Sequence, residues 1–96
     1  MYNDLDPLLH SQLRLAIISM LVASEKADFT YVKEETKATA GNLSIQIKKL
    51  QDAGYIKVKK SFKNNYPNTM LSITKKGIEA FEAYVNDLKK YINPGN

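Results

Sequence analysis

Between Thr39 and Leu71 the chain changes its period. TAGNLSIQIKKLQDAG repeats apolar residues at helical spacing, and the residues after Gly54 alternate apolar with charged. An amphipathic helix that runs directly into a lysine-studded strand, a polar turn and a second strand is compatible with few small folds. In the helix, Leu43, Ile47 and Leu50 share one face and predict its buried side. Gly41, Ile45 and Lys48 lie opposite, flanked by Asn42, Ser44 and Lys49, and Gln46 lies nearer the buried edge. Gly41 near the helix start permits close backbone approach to another surface, and the unpaired amides of a first turn capped by Thr39 can donate to an anion.

The charge is concentrated in the same stretch. Residues 1 to 25 are net −2 and residues 67 to 96 net +1, whereas Lys37 to Lys63 holds seven lysines against Asp52 alone, net +6. A polyanion would meet this segment first, and a polar helix face of major-groove width beside a basic hairpin points to duplex DNA. Asn42, Ser44 and Lys48 carry the chemistry for base edges and phosphates, while Lys49 and Lys59 suit phosphate, where a flexible point charge suffices.

Ninety-six residues are enough for one small core and too few for a large enclosed active-site cavity. Without cysteine there is no disulfide scaffold, thiolate zinc site or thiol redox sensor, and the composition fits a cytoplasmic protein. The apolar run from Leu13 to Ala23 is too short to span a bilayer, and no cleavable signal pattern precedes it. His10 is the only histidine and reads as a surface residue, not a metal ligand. Glu34 and Glu35 face different sides of their helix, and Glu79 with Glu82 sit on an exposed face; neither pair resembles an acid-base dyad. No phosphate-cradling glycine loop or nucleophile motif is present, so neither an enzyme nor a cofactor is expected.

Asp6-Pro7 is a helix-start signal, predicting a first helix over 7–24. This helix is apolar nearly all round, with one stripe of Leu13, Ala16, Ile17, Met20 and Leu21 and a second of Leu15, Ile18 and Val22. It is therefore expected to be buried on two sides, one of them by another subunit. Thr30 predicts the cap of a short second helix that turns Tyr31 and Val32 inward, and Thr39 caps the third, which Gly54 stops. Tyr55 to Phe62 reads as a half-buried strand, Lys63 to Asn68 as the polar tip, and Thr69, Leu71 and Ile73 as the return strand. Thr74 caps a last helix whose Ile78, Phe81, Val85, Leu88 and Ile92 form a short heptad seam flanked by Tyr84 and Tyr91. The seam can pack on the first helix of its own chain or on a second copy.

With that order of elements, GNLS, KLQDAGYI, the KSF-to-PNT hairpin and LSITKKG resemble the winged-helix transcriptional regulators of the MarR/ArsR type, over nearly the whole chain. The resemblance implies a single domain, residues 1–96, mainly α with a small β-hairpin, in the winged helix-turn-helix order α-α-α-β-β-α. Its helix-turn-helix would span about 30–54, its wing about 55–73, and its terminal helices, 7–24 and 74–92, would build a homodimer. In such regulators the helix holding Asn42 to Leu50 is the recognition helix and the Phe62 to Met70 turn is the wing. The family's wing commonly carries arginine beside its proline; here the tip has Asn65, Tyr66 and Asn68, with only Lys63 charged.

The resulting expectation is a sequence-specific regulator of transcription, a dimeric repressor on a pseudo-palindromic duplex operator, with no cofactor and no membrane partner. Thr39, Gly41, Asn42, Ser44, Ile45, Gln46, Lys48, Lys49, Lys59 and Lys63 would contact DNA; Leu15, Ile18, Val22, Phe81, Val85, Leu88 and Ile92 would form the dimer interface. The competing expectation is a winged-helix protein-interaction module, favoured by Tyr66 at the tip.

Overall fold

The computed structural model describes residues 2–95 and contains four helices and a three-stranded antiparallel sheet. Helix α1 is Gln12–Ser24, followed by strand β1 at Lys26–Asp28, α2 at Phe29–Thr36 and α3 at Ala40–Asp52. The hairpin β2, Ile56–Lys63, and β3, Tyr66–Ile73, leads into α4 at Lys75–Ile92. The winged helix-turn-helix order is as expected, with one addition. Strand β1 pairs with β3 in register Lys26 to Ser72 and Asp28 to Met70, which gives the sheet order β1-β3-β2. Three residues without apolar alternation give no strand signal; β1 exists because β3 offers it a free edge.

The core is built around α1. Ile17, Ile18 and Leu21 are fully buried with Leu9, Val32, Leu43, Leu50 and Leu71, and Tyr84 of α4 closes one side. Helix α1 meets α2, α3, α4, β1 and β3, so one chain supplies neighbours to both of its apolar stripes, while Leu13, Ala16 and Met20 of the first also line an open cleft of about 630 Å³. The expected role of Ile18 in a dimer interface is thereby corrected: its side chain is wholly interior, and Leu15 and Val22 pack on the same core.

Several local expectations shift for identifiable reasons. The first helix begins at Gln12, five residues later than expected. Asp6 does cap a turn, its carboxylate accepting from the Leu8 amide and its carbonyl from Leu9 and His10, but Ser11 is extended at φ −151° and breaks the continuation. Helix α2 is capped by Asp28 rather than Thr30, through the Tyr31 amide at 2.7 Å. That start turns Tyr31 outward, 51% exposed, and leaves Phe29 and Val32 on the core side. The hairpin tip is shorter than Lys63 to Asn68: Lys63 pairs with Tyr66, and Asn64 and Asn65 at φ 53° and 66° make a two-residue turn with both residues left-handed, which asparagine tolerates.

Helix α4 also sits differently from the heptad reading. Gly77 and Tyr84 are its buried residues, and Phe81 and Leu88 are half-buried against the chain's own core. Ile78, Val85 and Ile92, seven residues apart, form the line not packed on that core, Ile78 and Ile92 exposed at 36% and 66% and Val85 half-buried between them. Gly77 explains this rotation. A Cβ there would stand 2.2 Å from the Tyr55 carbonyl oxygen and 2.8 Å from Ile73 Cδ1. Thr74 fastens the same place, its hydroxyl accepting from the Gly77 amide and lying 2.7 Å from the Gly54 carbonyl oxygen, while its own amide donates to Tyr55. The Tyr55 hydroxyl donates to Asp6 at 2.6 Å; burial first, then this bond, push it up to about 12. The N-terminal residues fold back on the far end of α4, where the Tyr91 hydroxyl donates to the Asn3 carbonyl and the Tyr2 and Tyr91 rings lie 4.9 Å apart.

Replacing glycine by alanine inside a helix ordinarily stabilises by up to about 1 kcal/mol. At Gly77 the sign reverses. Gly77→Ala should cost about 2 kcal/mol, since a backbone carbonyl cannot rotate away as a side chain can, and lower the melting temperature by roughly 10 °C. Urea and thermal denaturation measure this; a variant as stable as the parent would show that α4 can retreat from β2 without cost.

Candidate nucleic-acid interface

Helix α3 owes its placement to its two faces and its cap. Leu43, Ile47 and Leu50 are buried, and the Thr39 hydroxyl accepts from the Asn42 amide at 3.1 Å. Lys37, in the left-handed region at φ 57°, makes the tight turn from α2. The opposite face is open as expected: Gly41, Asn42, Ser44, Ile45, Lys48 and Lys49 are all exposed, Ile45 to 56%. No atom outside its immediate surroundings lies within 4 Å of a Cβ built on Gly41, so the first turn is free to approach another surface. Lys48 is engaged in an exposed ion pair with Asp52, Nζ to Oδ1 2.6 Å, one turn along. Such a pair contributes little to stability and exchanges readily for a phosphate.

Gln46, expected among the DNA contacts, is half-buried and bonded within the chain. Its carbonyl oxygen accepts from Arg14 Nη1 and its amide donates to Asn42 Oδ1 at 3.0 Å. Arg14 in turn donates through Nε to the Leu8 carbonyl at 2.6 Å. A relay therefore runs from the turn before α1 through Arg14 and Gln46 to Asn42, fixing the Asn42 amide with its donor group pointing outward from the relay. Nothing in the sequence pattern singles out Arg14, whose only distinction there is being the one charge in an apolar helix.

The hairpin divides its side chains strictly by register. Ile56, Val58, Lys60 and Phe62 stand opposite Ile73, Leu71, Thr69 and Pro67 and share one face; Lys57, Lys59 and Lys63 stand opposite Ser72, Met70 and Tyr66 on the other. The first face looks onto α3. Val58, Lys60 and Thr69 line a cleft of about 320 Å³ together with Ser44, Lys48 and Gln51. Lys60, and not Lys59, is thus the hairpin lysine that the fold brings to α3. Lys59 and Lys63 lie on the outer face, beside Lys57. The alternation beginning at Ile56 contains the signal that places Lys60 inward.

Other titratable groups are not gathered into a centre. Among the described residues no group of three or more His, Cys, Asp or Glu could hold a metal ion, and no helix is long and apolar enough to cross a membrane. His10 is exposed, its Nδ1 3.1 Å from the Tyr84 hydroxyl. The Tyr31 hydroxyl is raised above its ordinary range, chiefly by its hydrogen bond with the Glu35 carboxylate.

Residues 13–92 match the family model of the winged helix DNA-binding domain. An uncharacterized protein of Methanocaldococcus jannaschii is 35% identical over 79 residues, which cover 82% of this chain and 86% of that one. Among solved structures, a transcriptional regulator homologue from Pyrococcus horikoshii superposes with TM-score 0.83 at 30% identity, covering 88% of this chain and 84% of its own. The transcriptional regulator BldR from Sulfolobus solfataricus shares the fold, with TM-score 0.73 at 19% identity over 86% of this chain and 58% of its own. The exposed polar face of α3 beside a basic hairpin thus has its explanation in descent: the chain belongs to the winged helix DNA-binding domain family, a family and fold of transcriptional regulators rather than of enzymes.

Proposed function

We propose that this chain is a homodimeric, sequence-specific transcriptional regulator of the repressor kind, which binds a pseudo-palindromic duplex operator with one α3 helix in each of two successive major grooves. The observation that carries this reading is the outer face of α3. Asn42, Ser44 and Ile45 are solvent-exposed on a helix pinned from behind by the core and by the Arg14 relay. Lys48, Lys49 and Lys60 border that face with cations. Asn42 has the donor and acceptor of an adenine reader, Ile45 fits a thymine methyl, and the lysines and the first-turn amides after Thr39 position the helix on phosphates. Lys59 and Lys63, on the outer hairpin face, supply field more than contact.

Dimerisation is proposed through α4. Ile78, Val85 and Ile92 repeat at one heptad position and are the apolar line its own core leaves open, with Phe81 and Leu88 at the edge of the seam. A two-fold axis there gives two α3 helices, as a palindromic site requires.

The DNA reading predicts two kinds of loss. Lys48→Ala and Lys49→Ala should weaken operator and scrambled duplex alike, and each should lower the salt slope of log affinity by roughly one. Asn42→Ala should cost about 1 to 3 kcal/mol on the operator and relax one base pair per half-site, with little change on scrambled DNA. The operator is obtained by selection from random duplexes, and the titrations are run at two salt concentrations. Weak, equal and salt-insensitive binding to both duplexes by the folded protein would discard this function in favour of a protein-interaction module.

Arg14→Ala tests the relay. It touches no base in this arrangement, yet it should lose discrimination at the same base pair as Asn42→Ala, by roughly a third to a half of that variant's cost, because the Asn42 side chain regains rotamer freedom. An Arg14→Ala protein that loses affinity uniformly, with its base preference intact, would show that Arg14 acts on stability alone.

Sedimentation equilibrium at micromolar concentration should give about twice the chain mass. Val85→Glu with Ile92→Glu should give the monomer while leaving the thermal transition in place, since neither residue belongs to the buried core. A parent protein that is monomeric throughout would remove the two-half-site arrangement.

A further inference from the structure

Phe62 and Tyr66 are the most exposed large hydrophobic residues among the described residues, at 78% and 74%, and they stand on opposite faces of the hairpin. Phe62 is in phase with Ile56, Val58 and Lys60 on the α3 side, paired with Pro67. Moving outward along that face, the row Val58 and Leu71 belongs to the core, Lys60 and Thr69 line the cleft shared with α3, and Phe62 and Pro67 form an apolar edge beyond it. The order is core, cation, apolar tip. Two residues of strand span about 6.8 Å. A DNA strand whose phosphate lies in the cleft against Lys60 therefore has the next sugar and the minor-groove rim within reach of Phe62. No charged side chain stands on this face beyond Lys60.

We propose that Phe62, paired with Pro67, is an apolar wedge that packs into the minor-groove wall of the duplex flanking each half-site and favours flexible pyrimidine-purine steps there. The inference rests on the DNA-binding reading above and adds a specificity-determining residue to it. Phe62 lies on a paired strand next to the two-residue turn, so its backbone is already ordered before DNA arrives. An apolar wedge makes no hydrogen bond to a base. It discriminates through the cost of opening a step, low at TA and CA and high in a stiff A-tract. A charged tip would instead prefer the narrow, strongly negative groove of that same A-tract, so the two kinds of wing have opposite flank preferences.

The experiment uses the full chain and two duplexes with the same selected operator, one flanked by TA steps and one by A-tracts, with 2-aminopurine at the flanking step. The parent protein should prefer the TA flank by on the order of tenfold and brighten the 2-aminopurine on binding as the step unstacks. Phe62→Ala should equalise the two flanks and abolish the brightening with the salt slope unchanged, and Phe62→Leu should retain part of both effects. Lys60→Ala should lower the salt slope by roughly one and keep the flank preference. A Phe62→Ala protein with the parent's flank preference and fluorescence overturns the wedge, as does a parent that prefers the A-tract. In either case Lys48→Ala and Lys49→Ala still weaken duplex binding and the DNA-binding reading stands. Only a parent that binds neither duplex removes both.

Discussion

The contact between Gly77 and the Tyr55 carbonyl is the constraint on which the geometry of the interface depends. Tyr55 is the hinge residue between α3 and the hairpin, and its carbonyl is held on one side by the Thr74 amide and faced on the other by a helix turn that has no Cβ. Thr74 adds a hydroxyl that caps α4 and reaches the Gly54 carbonyl at the end of the α3 turn. Three elements therefore meet within one turn of backbone: the end of α3, the start of β2 and the start of α4. Because the hairpin leaves the core at this junction, its angle to α3 is set by backbone contacts and not by the flexible side chains farther out. The width of the cleft between Lys48 and Lys60 follows from that angle.

A second constraint acts on the reading face. A helix packed through Leu43, Ile47 and Leu50 has its axis and rotation fixed, but an exposed asparagine on its first turn still samples rotamers. The Arg14 relay removes part of that freedom before any ligand arrives. An arginine suits this post better than lysine. Its planar fork bonds the Leu8 carbonyl and Gln46 at once and does not lose its charge. The same residue ties the N-terminal turn to α3, so the segment before α1, itself held by Asp6 to Tyr55, is mechanically part of the interface. Residues 2–3 dock on α4 near Tyr91, which joins this segment to the proposed dimer helix as well.

What was legible in the sequence was whatever depends on local periodicity and capping. Leu43, Ile47 and Leu50, the Thr39 and Thr74 caps, Gly54 at φ 81° and the alternation of β2 all follow from the properties of neighbouring residues. What was not legible depends on partners distant in the chain. Strand β1 exists only because β3 is there to pair with it; the α4 rotation depends on Gly77 meeting a carbonyl 22 positions earlier, and the heptad count could not see it. Ile18 looked available for a second subunit because an all-round apolar helix is ambiguous until one knows how many elements surround it. Five do, in one chain. The bond between Arg14 and Gln46 was hidden for the same reason, its partners being 32 residues apart.

The division of lysines by hairpin face has a consequence for how affinity and specificity are separated. Net charge of +6 over residues 37–63 attracts a duplex whatever the side-chain directions, and this long-range attraction is screened by salt. Contact is more selective. Lys57, Lys59 and Lys63 point away from α3, so when α3 is seated they act through the field and through any DNA that curves around the hairpin, whereas Lys48 and Lys60 face the cleft directly. The outer lysines therefore favour encounter and weak sequence-independent binding, and the cleft pair favours the aligned complex alone. Placing Lys60 on one face of β2 and Lys57, Lys59 and Lys63 on the other lets the eight residues of one strand supply both.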